Sequence, residues 1–202
     1  MINNLLGRAV DLVHVFIAPA LPTGGVALDA TAGNGLDTLF LAGKVGPTGR
    51  VYAFDLQAQA LAATEKLLEL HGLRRQVNLI KRGHEELGLV VSEAVDAVVF
   101  NLGYLPGGDH QIITKPETTI TALAAALTLL KPGGRIGLTV YTGHPGAREE
   151  LAALEDYVKG LAPEQFNVIK TTYVNRSLQA PVVFFVEKAG IIDEGRATRK
   201  NS

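Results

Sequence analysis

Three short stretches of the chain carry residue types that can do chemistry. In "LDATAGNGLDT", Asp29, Thr31, Gly33, Asn34, Gly35, Asp37 and Thr38 follow one another at the end of an apolar run. Glycines in such a turn let the backbone bend tightly and approach a ligand, with the amides of a following helix just beyond. In "NLGYLPGGDH", Asn101 and Tyr104 stand three residues apart after the apolar run "AVDAVVF". Acceptors on an asparagine can grip the N–H groups of an amine and aim its lone pair. A tyrosine ring can stack on a base or cover a cationic centre. In "YTGHPG", Tyr141 and His144 can accept a proton or disfavour a charged amine, as can His110.

The spacing of the first stretch narrows the ligand. A dinucleotide fingerprint needs a third small residue where Thr38 stands, which argues against a nucleotide-binding dehydrogenase. Instead Asp29 precedes Gly33 and Asp37 enters the helix, a pair that repels pyrophosphate and attracts an ammonium group. Asp55 closes the next apolar run, "RVYAFD", where an acid can chelate two ribose hydroxyls. Leu56 and Gln57 after it offer no arginine for a 2′-phosphate. Adenosine with a cationic amino-acid tail meets these demands, and S-adenosylmethionine is such a molecule.

Apolar runs alternating with helical periodicity position these stretches. Helices are expected over 4–18, 36–42, 57–71, 84–90, 116–131 and 146–160. Strands are expected over 25–30, 50–55, 77–81, 94–102, 135–141, 166–174 and 180–188. Strands separated by helices imply parallel pairing, and the short "NRSLQA" between the last two implies an antiparallel hairpin at one edge. The fold class is a doubly wound α/β sheet of seven strands in one domain, 1–188, followed by a polar, flexible tail, 189–202.

A hydrophobic content of 47% suits an ordinary globular protein, and a formal net charge of -1 advertises no polyanion partner. The absence of cysteine excludes disulfides, thiolate metal sites and cysteine nucleophiles, and no metal is implied. The N-terminus lacks signal-peptide features and no apolar run is long enough to span a bilayer, so a soluble cytoplasmic protein is expected.

"DATAGNG" resembles the Asp/Glu-x-Gly-x-Gly-x-Gly opening of class I methyltransferases, with Thr31 in place of the first glycine. "NLGY" is similar to the Asn/Asp/Ser-Pro-Pro-Tyr/Phe of amino-group methyltransferases, with Leu102 and Gly103 in place of the prolines. With "FDLQ", "GHEEL", "TTITALAAALTLLKPGG" and "YTGHPG", residues 8–188 resemble a bacterial family labelled rRNA methylases, which includes tRNA enzymes acting on wobble 5-aminomethyl-2-thiouridine. The resemblance implies a Rossmann-like methyltransferase sheet and transfer of a methyl from S-adenosylmethionine to the aminomethyl nitrogen.

It further implies that Asp29, Thr31, Gly33, Asn34, Gly35, Asp37, Thr38, Asp55, Gln57, His84, Asn101 and Gly103 lie on the cofactor side, with His84 or Glu85 at the adenine amino group. Tyr104, Leu105, Pro106, His110, Tyr141 and His144 fall on the substrate side, and Asn101 and Tyr104 carry the catalysis. rRNA or a small amine is the alternative acceptor. Arg74, Arg75, Lys81 and Arg82 cluster at the third strand, with Lys115, Arg148 and Arg176 elsewhere. So small a patch implies weak, salt-sensitive binding to a tRNA anticodon arm, with specificity from an unstacked base. A monomer or a homodimer is expected.

Overall fold

Two 3-10 turns flank the first helix in the computed structural model, which describes residues 5–105, 107–108, 112–177 and 179–190. The elements in chain order are α1 (Ala9–Ile17), β1 (Val26–Asp29), α2 (Leu36–Val45), β2 (Arg50–Phe54), α3 (Ala58–Leu70), β3 (Val77–Ile80) and α4 (Leu87–Val90). There follow β4 (Val95–Leu102), α5 (Pro116–Leu129), β5 (Leu130–Val140), α6 (Ala147–Lys159), β6 (Phe166–Thr171) and β7 (Val182–Lys188). The expected span 4–18 thus breaks at Arg8, between a 3-10 turn at Leu5–Gly7 and α1.

The strands form one seven-stranded sheet in the order β3-β2-β1-β4-β5-β7-β6. β1 to β5 pair in parallel, and β7 runs antiparallel to both β5 and β6. The hairpin therefore folds back into the sheet: β7 takes the inner place and β6 the edge. Strand order reverses between β1 and β4, which opens a crevice at their carboxyl ends.

The period of two along each strand divides the core. Leu28, Val98, Phe100, Leu102 and Ile136 pack with Leu87 of α4, Leu123 of α5 and Leu154 of α6. Ala27, Ala97 and Val99 face the other way, onto Val13 of α1, Leu41 of α2 and Leu68 of α3. Asn101 continues the second set by the same alternation, so its side chain is delivered toward α1 and α2. No helix among the described residues is long and apolar enough to cross a membrane.

Three boundaries differ from the sequence expectation. α2 runs through Gly43 to Val45 and stops at Gly46. β5 starts at Leu130, because Leu130 pairs with Val95 and the "KPGG" segment then bulges before Arg135 pairs with Ala97. β6 ends at Thr171, where its pairing with β7 ends.

α1 packs closely on β5 at Gly137, where an added Cβ would stand 2.4 Å from Val13 Cγ1. Gly137→Ala must push the helix off the sheet. Overpacking of this kind costs about 1–3 kcal/mol, and urea denaturation should show a loss of that size. An unchanged midpoint would mean that α1 is not seated here.

Candidate active site

A cavity of about 840 Å³ opens over the carboxyl ends of β1, β2 and β4. At the base of it, Thr31 joins the two central strands. Its hydroxyl accepts the backbone N–H of Asn101 at 2.7 Å. A glycine at position 31 would offer no such acceptor, which accounts for the departure from the glycine pattern.

Of the two carboxylates expected to face an ammonium group, only Asp37 lines the cavity. Asp29 is fully buried behind the turn, accepting Thr38 Oγ1 at 2.6 Å and the Thr31 N–H at 3.2 Å. Burial, with the nearby Asp37 charge adding to it, pushes the Asp29 carboxyl from 3.8 up to about 7. Asp29 and Thr38 thus brace the turn from behind the cavity wall.

Gly35 is also behind the wall. Its φ of 83° is left-handed, and a Cβ there would stand 2.8 Å from Thr64 Cα, so α3 requires the glycine. Gly33 and Asn34 do line the cavity. The Gly33 N–H donates to Asp55 Oδ2 at 2.9 Å, and the Gln57 N–H donates to Asp55 Oδ1 at 2.8 Å. These two bonds hold the Asp55 carboxylate at the cavity edge, with acceptor capacity to spare.

His84 is buried against the same cavity, its ring edge-on to Phe100 at 6.2 Å. Burial lowers its pKa, keeping the imidazole neutral, while the nearby Glu85 and Asp55 charges oppose the shift. Its Nε2 is buried without a hydrogen-bond partner among the described residues.

Asp37 is the hub of the opposite end. It accepts His14 Nε2 from α1 and Asn101 Nδ2 from β4. His14 in turn stacks on Phe40 with ring centroids 3.8 Å apart. The sequence reading passed over His14, although a polar residue beside the buried Val13 and Ile17 on α1 was the available signal. The Asn101 amide is thereby fixed, and its Oδ1 is buried without a partner.

Gly103, Tyr104 and Leu105 line the wall beyond, and Tyr141 and His144 close it from the loop after β5. Gly103 has a φ of 153°, a backbone conformation that favours glycine, and Tyr141 and His144 lie beside it. Tyr104 meets His144 edge-to-face at 6.0 Å and is 40% exposed. Burial and the Asp37 charge raise the Tyr141 pKa, so its phenol stays protonated. Pro106 and His110 lie outside the described residues.

Half of the basic cluster at β3 is ion-paired, Arg74 with Glu65 at 2.8 Å and Arg82 with Glu86 at 2.9 Å, whereas Arg75 and Lys81 have no ion pair among the described residues. Arg8 and Lys115 line the cavity, and neither has an ion pair among the described residues.

A family model described as "Putative rRNA methylase" matches residues 51–187. The chain belongs to that family. It is a methyltransferase. A chloroplastic protein of Arabidopsis thaliana named tRNA (mnm(5)s(2)U34)-methyltransferase is 42% identical over 93% of this chain and 72% of its own. A crystal structure from Clostridium thermocellum described as "putative rRNA-methylase" has 41% identity and a TM-score of 0.87, covering 90% of this chain and 97% of that one. One from Streptococcus mutans described as "a putative methyltransferase", solved in complex with SAH, has 38% identity and a TM-score of 0.81, over 90% and 98% of the two chains. Asp29, Asp37 and His14 of this rRNA methylase family member all precede residue 51, where the family match begins.

The buried Asp29 leads to a pH prediction. A carboxyl raised on folding favours the folded state most below its unfolded value and loses that contribution as pH rises through its folded value. Asp29→Asn removes the titration. Between pH 3.8 and about 7 the stability difference should move steadily in the variant's favour, then level off. Urea denaturation of both proteins across that range measures it, and a difference independent of pH would mean that Asp29 titrates normally.

Proposed function

We propose that this protein transfers a methyl group from S-adenosylmethionine to the aminomethyl nitrogen of wobble 5-aminomethyl-2-thiouridine in tRNA. S-adenosylmethionine is the cofactor of this methyltransferase fold, and the residues present fit it. The bare, buried His84 Nε2 suits an adenine amino group, Asp55 suits the ribose hydroxyls, and Asp37 brings negative charge for the ammonium end. When bound, the cofactor supplies an electrophilic methyl group on a positively charged sulfur.

The observation that carries the acceptor class is Asn101 Oδ1. Its backbone N–H is committed to Thr31 and its Nδ2 to Asp37. The side-chain oxygen is a buried acceptor on a residue of the cavity wall, which suits an N–H group and aims the nitrogen lone pair. The Tyr104 ring beside it offers a face for a base or a cationic centre. The name of the Arabidopsis relative supports tRNA as the carrier of that amine. Arg8 and Lys115 at the cavity edge suit the phosphates around an unstacked nucleotide, so binding should weaken with salt. The family description favours rRNA as the second reading.

Methyl transfer to tRNA bearing 5-aminomethyl-2-thiouridine, beside tRNA lacking the aminomethyl group and beside rRNA, tests the proposal. Transfer to the first alone is expected, and equal transfer to the first two would remove the amine as acceptor. Asn101→Ala should lower turnover on the order of a hundredfold with little change in cofactor affinity, because misalignment acts on the reacting geometry. Asp55→Ala should do the reverse, weakening SAH binding by about 1–3 kcal/mol in titration calorimetry.

A further inference from the structure

Among the described residues, four buried side-chain polar atoms have no hydrogen-bond partner: His84 Nε2, Asn101 Oδ1, His144 Nε2 and Tyr173 Oη. The first three belong to residues lining one cavity. Buried polar atoms are otherwise paired in folded proteins, so three orphans around one space point to ligand groups that satisfy them. His84 stands at one end. Asn101 and, beside Gly103, His144 line the rest of the cavity.

A neutral primary amine has two N–H groups and one lone pair, and Asn101 Oδ1 can take only one N–H in line. The neighbouring backbone carbonyls are already engaged. Leu102 O accepts the Tyr141 N–H at 3.0 Å, and Gly103 O accepts the Thr114 N–H at 3.0 Å. Tyr141 keeps its phenolic proton and so makes a poor proton acceptor.

His144 meets the requirement. Its Nδ1 lies 2.9 Å from the Pro145 carbonyl, which can only accept, so Nδ1 carries the hydrogen and Nε2 carries the lone pair. Gly103 follows Asn101 by two residues, just past the end of β4. A Cβ on Gly103 would stand 3.5 Å from His144 Nε2, so the imidazole lies against the chain two residues along from Asn101. The ring is held in place by Tyr104, edge-to-face at 6.0 Å, and the His144 carbonyl accepts the Ala147 N–H at the start of α6.

We propose that His144 is a catalytic residue of this methyl transfer, its Nε2 accepting one proton of the substrate amine while Asn101 Oδ1 holds the other N–H. The assignment rests on the amine reading given above. The nitrogen lone pair forms the new N–C bond as the C–S bond breaks, its electron pair staying on sulfur. Positive charge passes from sulfur to nitrogen, and the surplus proton of the nitrogen moves to Nε2. The imidazolium keeps its Nδ1–H on Pro145 and returns the new proton to water.

The test uses the full chain with S-adenosylmethionine and tRNA bearing 5-aminomethyl-2-thiouridine. In His144→Gln the side-chain oxygen can still accept an N–H but cannot carry the proton away. KM for tRNA should therefore stay near that of the wild type while kcat falls about a hundredfold, the scale of a lost general base. His144→Ala should lose activity as well and regain part of it when imidazole is added to the buffer. Calorimetric SAH binding at wild-type strength in both variants identifies them as folded. Should the alanine variant fail to fold, the KM-against-kcat split of the glutamine variant decides alone. Variants that keep the wild-type kcat, or a folded alanine variant that imidazole does not rescue, would overturn the assignment of His144. A wild-type protein inactive on this tRNA would instead remove the amine reading, and the role of His144 with it.

Discussion

The hydrogen bond from the Asn101 N–H to Thr31 Oγ1 joins the ends of two parallel strands that belong to different halves of the sheet. Everything in the cavity depends on that junction. It extends the link between β1 and β4 beyond the last paired residues, Asp29 and Val99. The pleat then dictates direction. Val99 and Asn101 share a face, and that face looks onto α1 and α2. An asparagine delivered there meets Asp37 and, through it, His14. A strand shifted by one residue would send Asn101 into the apolar layer beneath α4, α5 and α6 and bring Leu102 into the cavity.

Two carboxylates so close to one turn would repel if both were ionised. Burial separates their roles. Asp29, surrounded by Thr31 and Thr38 and out of water, holds its proton far above the range of an ordinary carboxylic acid. Asp37, at the cavity wall, has donors from α1 and β4 to satisfy it. The same low-dielectric setting keeps His84 neutral and Tyr141 protonated, so the wall presents neutral groups beside the carboxyl groups of Asp37, Asp55 and Glu85. A cationic ligand is favoured by such a wall, and a phosphate is not.

The polarity of the cavity runs along the strand ends. Asp55 and His84, after β2 and β3, form an end suited to a nucleoside. Asn101 and His144, after β4 and β5, form an end suited to an amine. Arg8 and Lys115 stand at the edge, and near β3 Arg74 and Arg82 pair with Glu65 and Glu86. Overall charge concealed this arrangement, since a chain with net charge -1 can still place cations where a polyanion must approach.

Local chemistry made much of this legible in the sequence. Strand alternation, glycine stops and the short link before β7 foretold the sheet, because each depends on neighbours in the chain. The same holds for the cavity-lining Asp55, Asn101 and Tyr104, which follow directly from the ends of strands. Contacts between distant segments decided the rest. Asp29 and Asp37 look equivalent in "LDATAGNGLDT", and only the packing of the turn against the sheet buries one and leaves the other at the wall. Gly35 looks like a ligand-binding glycine until α3 arrives against it through Thr64. His14 was invisible as a site residue because its partner lies 23 residues on and Asn101 a further 64 beyond that. Sequence periodicity says which face a side chain takes. What waits on that face is settled when helices from elsewhere in the chain close over it.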